Sequence, residues 1–224
     1  MTDGMTAVVL GGSGEVGKNI VKQLVDNTAF SKVILITRRM LDFSSDKIEQ
    51  KIVDFDKLEE HKDAFSNAQV GFCALGTTRK KAGAAGFVKV DRDYVAEAAK
   101  LLRDQGCQQF HLVTSGGSNK DSLFLYMKTK GEVEELIKEM NFPKYMIYRP
   151  NMLLGNREEP RPLEYIAQTT LRCLDRYRWG SIEVERVAAA MVAKALEKPL
   201  PEQNDVYMKI LENADILAAS KVEN

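Results

Sequence analysis

A string of glycines separates two different sequence patterns near the start of the chain. Residues 7–10 form a short apolar run, and residues 15–27 place apolar side chains at helical spacing. The glycine-rich segment 11–17 joins the two directly. A buried strand, a glycine turn and an amphipathic helix, in this order, are typical of the first unit of a dinucleotide-binding parallel sheet. This feature constrains the possible folds more than any other.

The glycines fit two spacing patterns. Gly11, Gly14 and Gly17 form GxxGxxG, whereas Gly12, Gly14 and Gly17 form GxGxxG. In either pattern, glycine permits a tight turn and lets the backbone approach a pyrophosphate, which the N-terminus of the next helix attracts. We therefore expect a dinucleotide to bind at this turn.

Strand-like and helix-like patterns alternate along most of the chain, which predicts a parallel sheet with helices on both faces. The predicted strands are 7–10, 32–37, 51–53, 70–75, 110–114, 144–148 and 206–211. The predicted helices are 15–27, 56–65, 87–103, 122–140, 163–177 and 185–198. We interpret residues 1–224 as one Rossmann-like domain of the doubly wound α/β class. Its small, mainly helical C-terminal part, 151–224, is expected to cover the strand ends on the substrate side.

The composition argues against several classes of protein. Thirty-two basic and thirty-two acidic residues balance, whereas a nucleic-acid-binding protein usually has a basic excess. No apolar run is long enough for a transmembrane helix. The three cysteines and two histidines lack the spacing of a zinc site or a disulfide framework. We expect no bound metal and a cytoplasmic location, with the nucleus left open.

Two arginines follow the second predicted strand. NAD-binding chains usually place Asp or Glu about 20 residues after the glycines, where it binds the ribose 2′-hydroxyl. Arg38 and Arg39 stand in that region instead, and guanidinium groups pair with phosphate through forked hydrogen bonds. The arginines therefore favour NADPH (NADP) over NAD. They also argue against a methyltransferase that binds S-adenosylmethionine.

Further candidates follow the third, fourth and fifth predicted strands. Asp54 is equally consistent with a bond to an adenine amino group and with a helix N-cap. Gly76 would let the backbone pass close to a cofactor. Thr114 and Ser115 each offer a hydroxyl that can bond a substrate carbonyl; we prefer Ser115 and leave Thr114 open.

Tyr126 and Lys130 lie one turn apart on a predicted helix and share a face. An ammonium group beside a phenol favours the phenolate, which suits general acid–base catalysis. Such pairs arise often by chance, so the pair gains weight only from its position just after the fifth predicted strand.

The glycine turn, the strand-five serine and Tyr-x-x-x-Lys, in this order, resemble the short-chain dehydrogenase/reductase superfamily. The chain is similar in particular to a compact, atypical branch, the Tat-interacting protein 2 oxidoreductases, from about residue 8 to 217. The segments that carry this resemblance are 30–33, 70–73, 75–79, 81–84, 90–95 and 130–134.

The resemblance implies an NADPH site in which Arg38 and Arg39 bind the 2′-phosphate. It makes Tyr126 the proton donor, with Lys130 on the nicotinamide ribose. The other contacts that it implies are Ser13, Gly14, Glu15 and Val16 at the pyrophosphate, Leu75 and Gly76 at the adenosine and ribose, Leu153 at the nicotinamide, and Arg161 at the phosphates.

Two functions remain in view. The first is an oxidoreductase that transfers hydride from NADPH to an unidentified small-molecule carbonyl substrate. The second is an NADPH-sensing regulator with little or no turnover that acts through protein partners, as the resemblance implies. In either case we expect a monomer or a weak dimer and no direct contact with nucleic acid.

Overall fold

The computed structural model describes residues 4–155, 180–197 and 206–221, and a parallel seven-stranded sheet forms its centre. A separate parallel pair, β7 with β8, follows the sixth strand. The strands are β1 (Met5–Leu10), β2 (Phe30–Thr37), β3 (Ile48–Ile52), β4 (Val70–Cys73), β5 (Gln109–Val113), β6 (Lys144–Arg149), β7 (Met152–Leu154), β8 (Ser181–Glu183) and β9 (Tyr207–Glu212).

Helices of several kinds connect the strands. A kinked 3₁₀ segment (Phe55–Phe65) precedes β4, and a π-helical turn (Lys89–Asp93) joins the second α-helix to the third. The α-helices are α1 (Glu15–Asp26), α2 (Arg79–Val88), α3 (Tyr94–Asp104), α4 (Leu125–Lys138), α5 (Val184–Leu196) and α6 (Asn213–Ala219).

Alternate side chains of the strands build two cores, one on each face of the sheet. On one face α1 and α5 bury residues such as Ile20 and Val187. On the other face α3 and α4 bury Val95 and Val133, together with residues of the 3₁₀ segment. The doubly wound α/β fold expected from the sequence is confirmed.

The strand order is β3-β2-β1-β4-β5-β6-β9. The chain builds the sheet outward from β1 in one direction and then outward from β4 in the other. The loops that leave β1 and β4 therefore diverge and open a crevice at the carboxyl ends of the strands. Ligands of such sheets bind in this crevice.

Two predicted helices differ from the structure. Segment 56–65 is not an α-helix, because Lys57 and His61 have non-helical backbone angles that break it into short 3₁₀ turns. Segment 87–103 is not one continuous helix: helical structure begins at Arg79, is interrupted at Gly83, and passes through the π turn before α3.

The described C-terminal elements extend one face and one edge of the sheet. α5 packs beside α1, and β9 pairs with β6. β7 follows directly beyond the carboxyl end of β6, at the edge where ligands are expected. The predicted helix 163–177 lies outside the described residues, and the assignment of 1–224 to a single domain stays a prediction.

Cys73 and Cys107 are buried, and burial raises the pKa of each thiol to about 12. Cys173 lies outside the described residues. Over the described ranges, no helix has both the length and the apolar character needed to cross a membrane.

Candidate functional site

The glycine turn requires glycine at its first and last positions. Gly11 has a φ of +82°, and a Cβ there would lie 2.6 Å from the carbonyl carbon and oxygen of Ala74. A Cβ on Gly17 would lie 2.1 Å from the Gly11 oxygen. By contrast, the nearest atom to a Cβ on Gly12 would be 3.7 Å away. These clearances match the GxxGxxG pattern.

The N-terminus of α1 directly follows the glycine turn, and no side chain of the described residues caps it. Gly14 is the N-cap residue and has no side chain that could satisfy the first-turn N–H groups. Ser13 and Gly14 are exposed, Glu15 is half-buried, and Val16 packs into the core. A helix start whose first-turn N–H groups have no side-chain cap, and which follows a glycine turn, suits a pyrophosphate.

The turn after β2 holds Arg38 and Arg39 beside the glycine turn. The Thr37 hydroxyl donates to the Arg39 carbonyl at 2.8 Å, and Leu41, just beyond, reaches within 3.7 Å of a Cβ placed on Gly12. Both arginines are exposed. Neither forms an ion pair with any residue in the described part of the chain, so both guanidinium groups are available to an anion.

Asp54 acts as the N-cap of the 3₁₀ segment. Its side chain accepts a hydrogen bond from the Asp56 N–H at 2.9 Å, and its own N–H donates to His61 Nε2 at 3.3 Å. Of the two roles considered for Asp54, the structure displays the N-cap role, and the residue is exposed. Its contact with adenine stays a prediction.

The loop after β4 lies directly against Lys130. A Cβ on Gly76 would be 3.8 Å from Lys130 Nζ and 3.1 Å from Asp91 Oδ1. The next residue, Thr77, donates its backbone N–H to Asp91 Oδ2 at 2.8 Å. Leu75 is half-buried against the core that α3 and α4 cover. The β4 loop and α4 thus meet at one point in the crevice.

Lys130 is buried and forms an ion pair with Asp91, with 2.8 Å between Nζ and Oδ1. Burial by itself disfavours the ammonium group. Interactions with Asp91 and, to a smaller extent, with Tyr126 and Cys73 together outweigh this effect, so the pKa of Lys130 is raised. Lys130 therefore carries its positive charge inside the site.

Tyr126 lies one turn before Lys130 on α4 and keeps 42% of its surface exposed. Its ring stacks on Phe87, with 5.6 Å between ring centroids and 24° between the planes. Phe87 is fully buried, so it holds one face of the Tyr126 ring in place. The remaining exposed part of Tyr126 is accessible to a ligand. This arrangement suits a group that exchanges a proton with a ligand.

The two hydroxyls at the end of β5 differ in their partners. Thr114 is buried, and its hydroxyl donates to Glu134 Oε1 at 2.6 Å. Glu134 is held in turn by a forked pair with Arg149, at 3.0 Å and 2.5 Å. Within the described part of the chain, the Ser115 hydroxyl has only a long contact of 3.4 Å to the Gly116 carbonyl. Ser115 is therefore the hydroxyl that is available to a ligand.

Beyond β6 the chain returns to the glycine turn. Leu153 lies in β7 and packs on the core under α1 and α5. A Cβ on Gly155 would be 3.5 Å from Glu15 Oε2, so β7 approaches the start of α1. Arg161 lies outside the described residues, and its contact with the phosphates stays a prediction.

Sequence reasoning missed two buried carboxylates, Asp91 and Glu134. Each stands on the buried stripe of its helical segment, where Phe87 and Val95 flank Asp91, and Lys130 and Ile137 flank Glu134. A charged residue on a buried stripe requires a partner. That signal was present in the sequence, although the partners could not be identified from it.

The chain is similar to known proteins in sequence and in fold. Residues 11–199 match the NAD(P)H-binding family. Protein HTATIP2 of Rattus norvegicus is 43% identical over 216 residues, which cover 95% of this chain and 88% of the relative. Protein FMP52-1, mitochondrial, of Scheffersomyces stipitis is 37% identical over 87% of this chain and 91% of its own length.

Solved structures share the fold at low sequence identity. The complex of MoeE5 with UDP-glucuronic acid and NAD superposes with a TM-score of 0.71 at 16% identity, covering 92% of this chain and 75% of that one. A UDP-glucose 4-epimerase of Thermotoga maritima has a TM-score of 0.67 at 15% identity, with coverages of 92% and 89%.

The relatives overturn the expected cytoplasmic location. Several fungal relatives, including those of Scheffersomyces stipitis and Candida albicans, carry the word mitochondrial in their names. The expectation rested on the cysteine pattern, which does not distinguish one reducing compartment from another.

Proposed function

The chain belongs to the NAD(P)H-binding family, and on that premise we propose that it is an NADPH-dependent oxidoreductase that reduces a carbonyl group to an alcohol. The observation that carries the proposal is the meeting of Lys130 with the Gly76 loop. A Cβ placed on Gly76 would be 3.8 Å from Lys130 Nζ. The Tyr126–Lys130 pair therefore lies beside a loop that suits the cofactor.

The choice of NADPH rests on Arg38 and Arg39. Both are exposed at the carboxyl end of β2 and lack an acidic partner among the described residues. A 2′-phosphate would supply the missing negative charge, and guanidinium groups bind phosphate through charge-assisted hydrogen bonds. NADH lacks this 2′-phosphate.

In the proposed reaction the residues at the carboxyl ends of β4 and β5 bind and orient the reactants. When bound, NADPH supplies the hydride. Tyr126 donates its phenolic proton to the carbonyl oxygen and regains a proton from solvent. The ammonium group of Lys130 stabilises the phenolate left on Tyr126 and, by the family resemblance, holds a ribose hydroxyl.

Ser115 would donate a hydrogen bond to the same carbonyl oxygen and so orient it. Thr114 is the less suitable group, because its hydroxyl already donates to the buried Glu134. We therefore assign the substrate hydroxyl contact to Ser115 and a structural role to Thr114.

Tyr126→Phe tests the proposal. The ring still stacks on Phe87 and the proton donor is lost, so we expect at least about a hundredfold loss of carbonyl reduction with unchanged NADPH affinity. NADPH oxidation would be followed at 340 nm with a panel of aldehydes and quinones. Lys128→Met, on the exposed side of α4, is the control. A variant that keeps its turnover would contradict the role of Tyr126.

A second function is favoured by the surface next to Tyr126. Leu123 is 100% exposed and Phe124 is 76% exposed at the start of α4. Two large apolar side chains beside the cofactor crevice suit a surface that contacts a protein partner when the nucleotide is bound. Tight NADPH binding without turnover of any carbonyl in the panel would favour this function.

A further inference from the structure

We propose that Gln50 is a positioning residue that sets the preference of the crevice for a 2′-phosphorylated dinucleotide, because its side chain holds the backbone that carries Arg38 and Arg39. This inference rests on the proposed function, since it concerns how the same arginines select NADPH. Gln50 acts through residues 38–41, which we call the arginine segment, and not by contact with the dinucleotide.

Both polar atoms of the Gln50 amide bond the backbone of one residue, Leu41. Gln50 Oε1 accepts the Leu41 N–H at 2.8 Å, and Gln50 Nε2 donates to the Leu41 carbonyl at 2.8 Å. The pairing resembles the two hydrogen bonds that opposite residues exchange in an antiparallel ladder. The two bonds therefore fix both the position and the orientation of the backbone at the end of the arginine segment.

Thr37, the last residue of β2, holds the other side of the arginine segment. Thr37 is buried, and its hydroxyl donates to the Arg39 carbonyl at 2.8 Å. Arg38 and Arg39 thus belong to a short stretch with a side-chain bond to its backbone at Arg39 and two more at Leu41. The stretch is too short for its backbone to shift far while these bonds persist, although both arginine side chains are exposed.

The face of the sheet on which Gln50 stands brings the arginine segment to the glycine turn. Gln50 pairs in register with Leu35 of β2, and Leu35 belongs to the core on the α1 face. The Leu41 side chain reaches the same region. Leu41 Cδ1 lies 3.7 Å and Leu35 Cδ2 lies 4.0 Å from a Cβ placed on Gly12. Gln50 therefore holds the arginine segment against the turn that suits the pyrophosphate.

Strand packing alone does not explain an amide at this position. Ile48 and Ile52 stand on the same side of β3 as Gln50, because side chains alternate along a strand. Ile48 packs on the core of the α1 face. A β-branched apolar residue in place of Gln50 would continue this row and would suit a strand better, but it could not bond the Leu41 backbone. The amide is thus better explained by the segment that it holds.

A segment that is held before the ligand arrives improves binding in two ways. A ligand binds in proportion to the fraction of the protein that already has the binding arrangement, and less of the backbone remains to be ordered on binding. NADH lacks the 2′-phosphate, so its affinity should depend less on where Arg38 and Arg39 lie. The effect of Gln50 should therefore appear as a change in the preference for NADPH over NADH.

Gln50→Met tests the proposal, because methionine has a similar length and can form neither bond to Leu41. In fluorescence titrations at fixed salt, we expect the NADPH affinity to fall about fivefold and the NADH affinity to change by less than about twofold. Added to Arg38→Ala/Arg39→Ala, the same substitution should cause no further loss of NADPH affinity, since Gln50 acts through these arginines.

Gln108→Met is the matched control. The Gln108 amide also bonds a nearby backbone group, the Gly106 carbonyl, at 2.7 Å, but Gln108 directly precedes β5 and so lies at the end of the sheet opposite the crevice. Its affinities for NADPH and NADH should equal those of the wild type. If Gln50→Met does not fold, Gln50→Thr takes its place with the same expected results, because threonine favours strands and is too short to bond Leu41.

Three results would each overturn the proposal. They are wild-type NADPH affinity in the Gln50 variant, equal losses of affinity for NADPH and NADH, and a loss that multiplies with that of Arg38→Ala/Arg39→Ala. A wild-type protein that binds NADPH no better than NADH would instead overturn the choice of NADPH in the proposed function.

Discussion

His111 lies in β5 with no exposed surface, at a distance from the crevice. Its Nδ1 is 2.9 Å from the Tyr148 hydroxyl, and its Nε2 is 3.4 Å from Gln109 Oε1. Burial, with a smaller contribution from the positive charge of Lys144, lowers its pKa to about 3. The imidazole is therefore neutral in the folded protein at physiological pH.

This burial predicts an acid-sensitive fold. Below about pH 6.5 the unfolded chain binds a proton at His111 that the folded protein does not bind until about pH 3. The free energy of unfolding therefore falls as the pH decreases through this window, by at most about 1.4 kcal/mol per pH unit. In denaturant titrations, the free energy of unfolding of His111→Gln should fall by about 2 kcal/mol less than that of the wild type between pH 7 and pH 5.

His61→Gln provides the control, because His61 lies in the 3₁₀ segment and is half-buried. It leaves the His111 site unchanged, so the acid-dependent loss of stability assigned to His111 should persist. Equal losses in His111→Gln and the wild type would show that the imidazole is not the group responsible.

At the scale of elements, the glycine turn is a segment in which one added methyl group would clash with the backbone at some positions and fit at others. A Cβ on Gly17 would meet the Gly11 oxygen at 2.1 Å, whereas one on Gly12 would be 3.7 Å from its nearest neighbour. Gly17→Ala should therefore lose at least about 1–3 kcal/mol of stability and its NADPH binding. Each kcal/mol lowers the melting temperature by roughly 2–4 °C.

Gly12→Ala is the comparison for Gly17→Ala. Its melting temperature should stay within roughly 2 °C of the wild type, since the added methyl group makes ordinary contacts. Calorimetry of both variants checks the prediction. A Gly17→Ala variant as stable as Gly12→Ala would mean that the turn does not approach α1 as closely as described.

The elements predicted correctly from the sequence are those whose local pattern agrees with their final packing. The apolar runs of β1, β2 and β5 are buried on both faces, so their composition alone indicates strands. The 3₁₀ segment and the π turn could not be predicted, because the apolar residues in these segments are spaced as they would be in an α-helix. Among the described strands, β7 and β8 pair only with each other, and both are too short to leave a pattern.

At the scale of the whole molecule, the site residues that could be predicted stand at strand ends. Arg38, Gly76 and Ser115 each follow a strand, and a parallel sheet brings its carboxyl ends together, so position alone indicated a shared crevice. Asp91 and Glu134 lie within helical segments, and their partners come from other elements of the chain. Such contacts follow from the packing of α3 and α4 and not from sequence spacing.

We propose that the crevice between β1 and β4 binds NADPH and that Arg38 and Arg39, which follow β2, bind its 2′-phosphate. The most direct test is titration of the wild type and of Arg38→Ala/Arg39→Ala with NADPH and NADH at fixed salt, with Arg186→Ala on exposed α5 surface as control. We expect a wild-type preference for NADPH that falls at least about tenfold in the double variant, with NADH affinity unchanged. Equal affinity of the wild type for NADPH and NADH would contradict the assignment of Arg38 and Arg39 to the 2′-phosphate.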